Sequence, residues 1–194
     1  MKLYLVRHGQ TEANLNRTHS GWGDVCLTEK GREQARRIGK ILEKIDFDKI
    51  YTSDLSRAVE TGRLALPDRE AELCKTVREI NVGNLARRPI ADCEAEYGEE
   101  YIQNRKTHNY KPYGGEDYAE FGKRIREFLS MVESSPYERI LVFCHGGFIQ
   151  NSLDVITGTY NNRAIFTSDN CGVTVYEYDG KAWKLITWNY TGEL

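Results

Sequence analysis

Two apolar runs constrain this chain more than any other feature. Lys2 to Val6 and Arg139 to Cys144 are compact, and each ends at a histidine followed by glycine, in Arg7-His8-Gly9 and His145-Gly146-Gly147. Runs of this kind, hydrophobic throughout and stopped by glycine and polar residues, mark parallel strands buried on both faces that end at functional loops. Lys49 to Thr52 is a candidate third strand. Between the strands, Ala35, Ile38, Ile41, Leu42 and Ile45 recur at helical spacing after a candidate N-cap, Thr28, and Phe121, Ile125, Phe128, Leu129 and Val132 repeat the pattern. Near the end, Val173 to Tyr178 and Trp183 to Trp188 flank Asp179-Gly180, which predicts an antiparallel hairpin through a two-residue turn.

Alternating strands and helices predict an α/β fold: a three-layer sandwich with a mostly parallel central sheet, helices on both faces and a C-terminal antiparallel hairpin. The stretch 81–117 is rich in charge, Gly and Tyr and lacks long periodicity, so it reads as a helical and loop excursion over the active site. No repeat or shift in composition divides the chain, and 1–194 is expected to be one domain. Ligands of such sheets sit beyond the carboxyl ends of the strands, which directs attention to the residues after Val6, Thr52 and Cys144.

Charge and cysteine usage narrow the function classes. With 27 Lys plus Arg against 29 Asp plus Glu, the net charge is -2, so attraction to phosphate must come from individually placed arginines. Nucleic acid is not an expected partner. The apolar runs are too short for a membrane span or a signal-peptide core. Five scattered cysteines without C-x-x-C spacing fit reduced thiols in a cytoplasmic protein rather than a disulfide framework or a structural zinc site. The four histidines are too dispersed to suggest a metal site. Three Trp and twelve Tyr could fill core or interface, which leaves a monomer or a homodimer.

Arg7, His8, Arg57 and His145 all fall shortly after separately predicted strands. A strand-end histidine is by itself more often structural than catalytic; the coincidence of place argues otherwise. Two arginines and two histidines converging on one crevice suit a phosphoryl group, since guanidinium forms planar bidentate contacts with its oxygens and glycine-rich helix starts, such as Gly146, add backbone N–H donors. Glu79, in Val77-Arg78-Glu79-Ile80, reads from sequence alone as a surface carboxylate paired with Arg78. Asn14 reads equally as a cap on the turn after the first loop.

Leu5 to Asn14, Tyr51 to Thr61 and Cys144 to Gly147 together resemble the histidine phosphatase superfamily, in its phosphoglycerate-mutase-like branch. The likeness also takes in Ser20-Gly21-Trp22-Gly23-Asp24 and Gly114-Gly115-Glu116-Asp117. It implies a metal-independent phosphomonoester hydrolase, without cofactor, that acts on a small phosphorylated metabolite through a phosphohistidine on His8. Arg7, Arg57 and His145 would hold the phosphoryl oxygens, and Glu79 would protonate the leaving oxygen. Asn14, Ser20, Gly21 and Gly146 would contact substrate. The compact length resembles enzymes acting on alpha-ribazole phosphate, phosphoserine and sugar or glycerate phosphates.

Two departures stand out. Gln10 occupies a position where relatives often have Glu, and Gly83 is followed by Asn84-Leu85-Ala86 where many have a Gly-x-Trp-Glu-Gly-like stretch. Cys26 to Arg32 matches the C-x5-R spacing of cysteine phosphatases, but Glu29 inside such a cradle would repel the dianion, and Thr28 to Arg32 reads better as a helix start. Cys144 lacks an arginine at the corresponding distance, where Gln150 stands. Two alternatives remain: a cofactor-dependent phosphoglycerate mutase, suggested by Ser20-Gly21-Trp22, and a catalytically silent phospholigand-binding module. Arg87, Arg88, Lys106 and Tyr110 are candidates to meet the leaving group.

Overall fold

The computed structural model describes residues 1–159 and 166–192. Along the chain come β1 (Lys2–Arg7), α1 (Glu12–Leu15), α2 (Glu29–Leu42), β2 (Lys49–Thr52), α3 (Ser56–Ala65) and β3 (Glu72–Leu73). They are followed by α4 (Ile90–Lys106), α5 (Tyr118–Glu133), β4 (Arg139–Cys144), α6 (Gly146–Thr157), β5 (Val173–Tyr178) and β6 (Trp183–Tyr190). The strands form one sheet in the order β3-β2-β4-β1-β5-β6. The first four are mutually parallel, whereas β5 runs antiparallel to β1, and β6 to β5.

Strand alternation explains the two cores. Leu3, Leu5, Ile140 and Val142 point to one face, where they pack with Phe121, Ile125 and Phe128 of α5 and Phe148 and Ile149 of α6. Val6, Leu141 and Phe143 point to the other, against Ala35, Ile38 and Leu42 of α2 and Ala65 of α3. The three-layer α/β sandwich expected from the sequence is the observed one. Thr28 caps α2 as predicted, its hydroxyl accepting from the Gly31 N–H, and Asp117 and Glu120 form a capping box at the start of α5.

The hairpin turn differs from expectation. Tyr178 pairs with Trp183, so four residues connect the strands. The Asp179 carboxylate accepts from the backbone N–H groups of Lys181 and Ala182, each at 3.0 Å, and this side-chain turn replaces the two-residue one. Within 81–117 lie two short 3-10 turns, Gly83–Leu85 and Lys111–Tyr113, and helix α4, interrupted at Gly98 by non-helical backbone.

Candidate active site

Sheet register assembles the site. Arg7 pairs with Cys144 and Thr52 with Phe143, so the residues immediately beyond them, His8, Ser53 and His145, emerge at one edge of three adjacent parallel strands. Arg57 follows in the first turn of α3, and His145 occupies the N-cap of α6.

His8 is buried, and its Nδ1 lies 2.8 Å from the carbonyl oxygen of Gly9. A carbonyl only accepts, so Nδ1 carries the hydrogen and Nε2 keeps a free lone pair. Burial, and then the charges of Arg57 and Arg7, push the His8 pKa well below its usual value and keep the ring neutral. The His145 ring stands 5.2 Å away, centroid to centroid. Its Nε2 meets the Ser53 hydroxyl at 2.8 Å.

Arg57 has no exposed surface. Its terminal nitrogens donate to the carbonyls of Gly23 and Gly21, at 3.2 and 2.8 Å. Arg7 donates through Nη1 to the Ser168 carbonyl. Burial lowers the pKa of both arginines, Arg57 to about 10, which leaves them charged at neutral pH. Three buried nitrogens around His8 have no partner among the described residues: Arg7 Nε, Arg57 Nε and His145 Nδ1. Buried N–H donors are normally satisfied, and the two open Nε–H groups of charged guanidiniums beside the start of a twelve-residue helix describe a receptacle for an anion.

Glu79 does not pair with Arg78. Arg78 instead forms a two-pronged contact with Asp54, both bonds at 2.6 Å, and stacks over Trp22. The Glu79 carboxylate accepts from the N–H groups of Ile80, at 2.9 Å, and Gly147, at 3.1 Å. Both glycines after His145 are close approaches: a Cβ on Gly146 would stand 3.2 Å from Arg7 Nε, and one on Gly147 would stand 2.1 Å from Glu79 Oε1.

Asn14 is the third residue of α1's capping box, and its Oδ1 accepts from the Thr11 N–H and from Asn170 Nδ2. Gly21 offers its carbonyl to Arg57, and the Ser20 carbonyl accepts from the Gly23 N–H. Gln10 ties the first loop to α2, accepting from the Thr28 hydroxyl through Oε1 at 3.0 Å. Arg88 is bound by Glu96 and Tyr97, and Tyr110 is buried in the core. Arg87 and Lys106 are exposed, Arg87 lying against Gly23. Arg32 of the C-x5-R spacing pairs with Glu60 at 2.7 Å, and burial raises the thiol pKa of Cys144.

Sequence reasoning missed Arg124 and Asn170. Arg124 donates to the carbonyls of Thr76, Arg78 and Glu79 and grips both oxygens of Glu116. It thus fixes the segment that presents Glu79. Asn170 donates to the His8 carbonyl at 3.0 Å. The signal for Arg124 was its position two turns after the Gly114 to Asp117 motif; Asn170 had none.

Comparison with known proteins agrees in kind. The family model described as Histidine phosphatase superfamily (branch 1) matches residues 3–191. The adenosylcobalamin/alpha-ribazole phosphatase of Escherichia coli (strain K12) is 34% identical over 154 residues, 77% of this chain and 75% of the relative. A 2,3-bisphosphoglycerate-dependent phosphoglycerate mutase of Parvibaculum lavamentivorans is 32% identical over 193 residues, 92% of this chain and 91% of the relative. The crystal structure of the alpha-ribazole phosphatase from Shigella flexneri superposes with a TM-score of 0.89 at 28% identity, covering 98% of this chain and 97% of that one.

Proposed function

Because the chain belongs to the histidine phosphatase superfamily, branch 1, we propose that it hydrolyses the phosphomonoester of a small metabolite through a phosphohistidine on His8, with no metal ion required. The observation that carries this reading is the set of buried nitrogens without a partner among the described residues, the Nε–H groups of Arg7 and Arg57 and Nδ1 of His145, gathered beside the free Nε2 of a neutral, buried histidine. Nε2 attacks phosphorus in line, and the bond to the leaving oxygen breaks. Arg7, Arg57 and His145 hold the nonbridging oxygens and stabilise the charge that builds on them. Glu79, clasped beside the start of α6, gives its proton to the leaving oxygen. Water then attacks the phosphohistidine, Glu79 takes the water's proton, and inorganic phosphate leaves.

In this reading 1–194 is one domain, and 81–117 is an excursion whose loops border the leaving-group side. Supporting that placement, Glu116 joins the excursion's two ends through the Asn81 N–H at 2.8 Å and holds Arg124, which also donates to the Glu79 carbonyl. The alpha-ribazole phosphatases among the relatives put alpha-ribazole phosphate first among substrates to try. No helix among the described residues is long and apolar enough to cross a membrane, which is compatible with the cytoplasmic location expected from the cysteines.

The test is phosphate release from a panel of phosphomonoesters, alpha-ribazole phosphate, phosphoserine and 3-phosphoglycerate among them, with EDTA present and His8→Ala in parallel. Release that survives EDTA and disappears in His8→Ala is expected. Return of the phosphoryl group to glycerate instead of water would establish the mutase alternative, and bound ester without any turnover the silent one.

A further inference from the structure

We propose that Ser53 sets the tautomer of His145: its hydroxyl donates to Nε2, so that Nδ1 bears the ring hydrogen and offers it to the anion beside His8. The two side chains are both fully buried, with Oγ and Nε2 2.8 Å apart. That contact alone allows the hydrogen to sit on either atom. The neighbours decide it. Ser53 Oγ already accepts from the Leu55 N–H at 3.3 Å, and among the described residues its hydroxyl has no acceptor other than His145 Nε2. Were Nε2 to donate instead, the serine hydrogen would be buried without a partner, and the Nδ1 lone pair would face a pocket built for negative charge. With the serine donating, every polar atom of the pair is satisfied except Nδ1–H, which is the one left for ligand.

The backbone makes the arrangement stiff. The Ser53 N–H donates to the Phe143 carbonyl at 2.9 Å, and the Thr52 hydroxyl donates to the Ser53 carbonyl at 3.0 Å. Ser53 is therefore locked at the end of β2 against the strand that delivers His145. The outcome is one tautomer used in two ways. His8 is protonated on Nδ1 by its contact with the Gly9 carbonyl and presents a lone pair; His145, protonated on Nδ1 because of a serine, presents a donor. Ser53 is a positioning residue, and its effect on phosphoryl transfer rests on the phosphatase reading, whereas the tautomer does not.

The experiment is long-range proton–nitrogen correlation spectroscopy on the full chain labelled with ¹⁵N-histidine at neutral pH, the His145 signals being assigned by their loss in His145→Gln. In the wild type, Nδ1 should resonate as the protonated nitrogen and Nε2 as the unprotonated one. Ser53→Ala, checked by circular dichroism to be folded, should show a mixture or the reversed tautomer, with kcat/KM lower by about tenfold, the scale seen when a residue that orients a histidine is removed. Ser53→Thr, which retains the hydroxyl, should recover both. An Nε2-protonated His145 in the wild type would overturn the proposal, as would a Ser53→Ala protein that keeps the Nδ1–H tautomer and full kcat/KM. Because the tautomer is read without turnover, a wild type that releases no phosphate would refute the phosphatase reading while the spectrum still decides the role of Ser53.

Discussion

His8 and His145 face each other across 5.2 Å with their ring planes tilted by 59°, and neither hydrogen bonds to a carboxylate among the described residues. Burial first, and then the positive charge of Arg57, holds both well below the usual histidine pKa of 6.5. A protonated His8 would have no lone pair to attack with, so in the proposed mechanism the arginines that would receive the phosphoryl group also keep His8 neutral.

This neutrality has a cost in acid. An unfolded histidine takes up a proton near pH 6.5, whereas the folded pair does not, so the unfolded state binds more protons and stability falls as pH falls below that point. Each ring, held neutral chiefly by burial, adds to that loss between pH 7 and pH 5. His19, lowered to about 4 by burial, adds to the same slope. Asp54, whose pKa is lowered chiefly by its hydrogen bond to Arg78, remains ionised through that window. Urea unfolding at pH 7 and pH 5 should show the loss, and His8→Asn should lose less between the two. Equal slopes in the two proteins would contradict the assignment of a depressed pKa to His8.

The parts legible in the sequence were those written in local pattern. β1 and β4 are compact apolar runs, α2 and α5 show clean helical spacing, and Arg7, His8, Arg57 and His145 lie at or shortly after strand ends. What escaped depended on register or distance. β3 is two exposed residues, Glu72 and Leu73, with no pattern to read. Ser53 meets His145 only because β2 lies beside β4, and Arg124 reaches carbonyls 45 to 48 residues earlier in the chain. The Arg78 and Glu79 pairing expected from their adjacency failed because Asp54, distant in sequence, offers a better two-pronged partner.

Gly147→Ala separates fold from function. An alanine Cβ would land 2.1 Å from Glu79 Oε1 and 3.0 Å from Cδ, so the carboxylate must give way. The obstacle is the far end of a flexible side chain, and alanine favours the helix over glycine by roughly 0.5–1 kcal/mol. Thermal stability should be unchanged or slightly higher while kcat falls on the order of tenfold or more. A variant with wild-type kcat would show that the position of Glu79 does not matter to turnover.

Arg124→Ala should be damaging in both respects. It leaves the Glu116 carboxylate, largely buried, without its guanidinium and frees the carbonyls of Thr76, Arg78 and Glu79. Removing one partner of such a pair costs about 3 kcal/mol. Arg124→Lys restores the charge but not the planar fork, and should recover only part of the stability. Full recovery by lysine in urea unfolding would mean that charge alone, and not the spread of hydrogen bonds, holds this segment.

Glu79→Gln tests proton donation through the leaving group. An alkoxide expelled from an alkyl phosphate needs a proton as the bond to phosphorus breaks, whereas a nitrophenolate departs without one. Glutamine retains the shape, but its single carbonyl oxygen can accept from only one of the Ile80 and Gly147 N–H groups, which the two Glu79 oxygens accept separately, and it has no acidic proton to deliver. The variant should therefore lose about 100-fold or more in kcat on alkyl phosphomonoesters and much less on p-nitrophenyl phosphate. His8→Ala, by contrast, should abolish both, because no phosphohistidine forms from either ester. Equal losses on the two substrates in Glu79→Gln would reassign Glu79 from proton transfer to the organisation of the pocket.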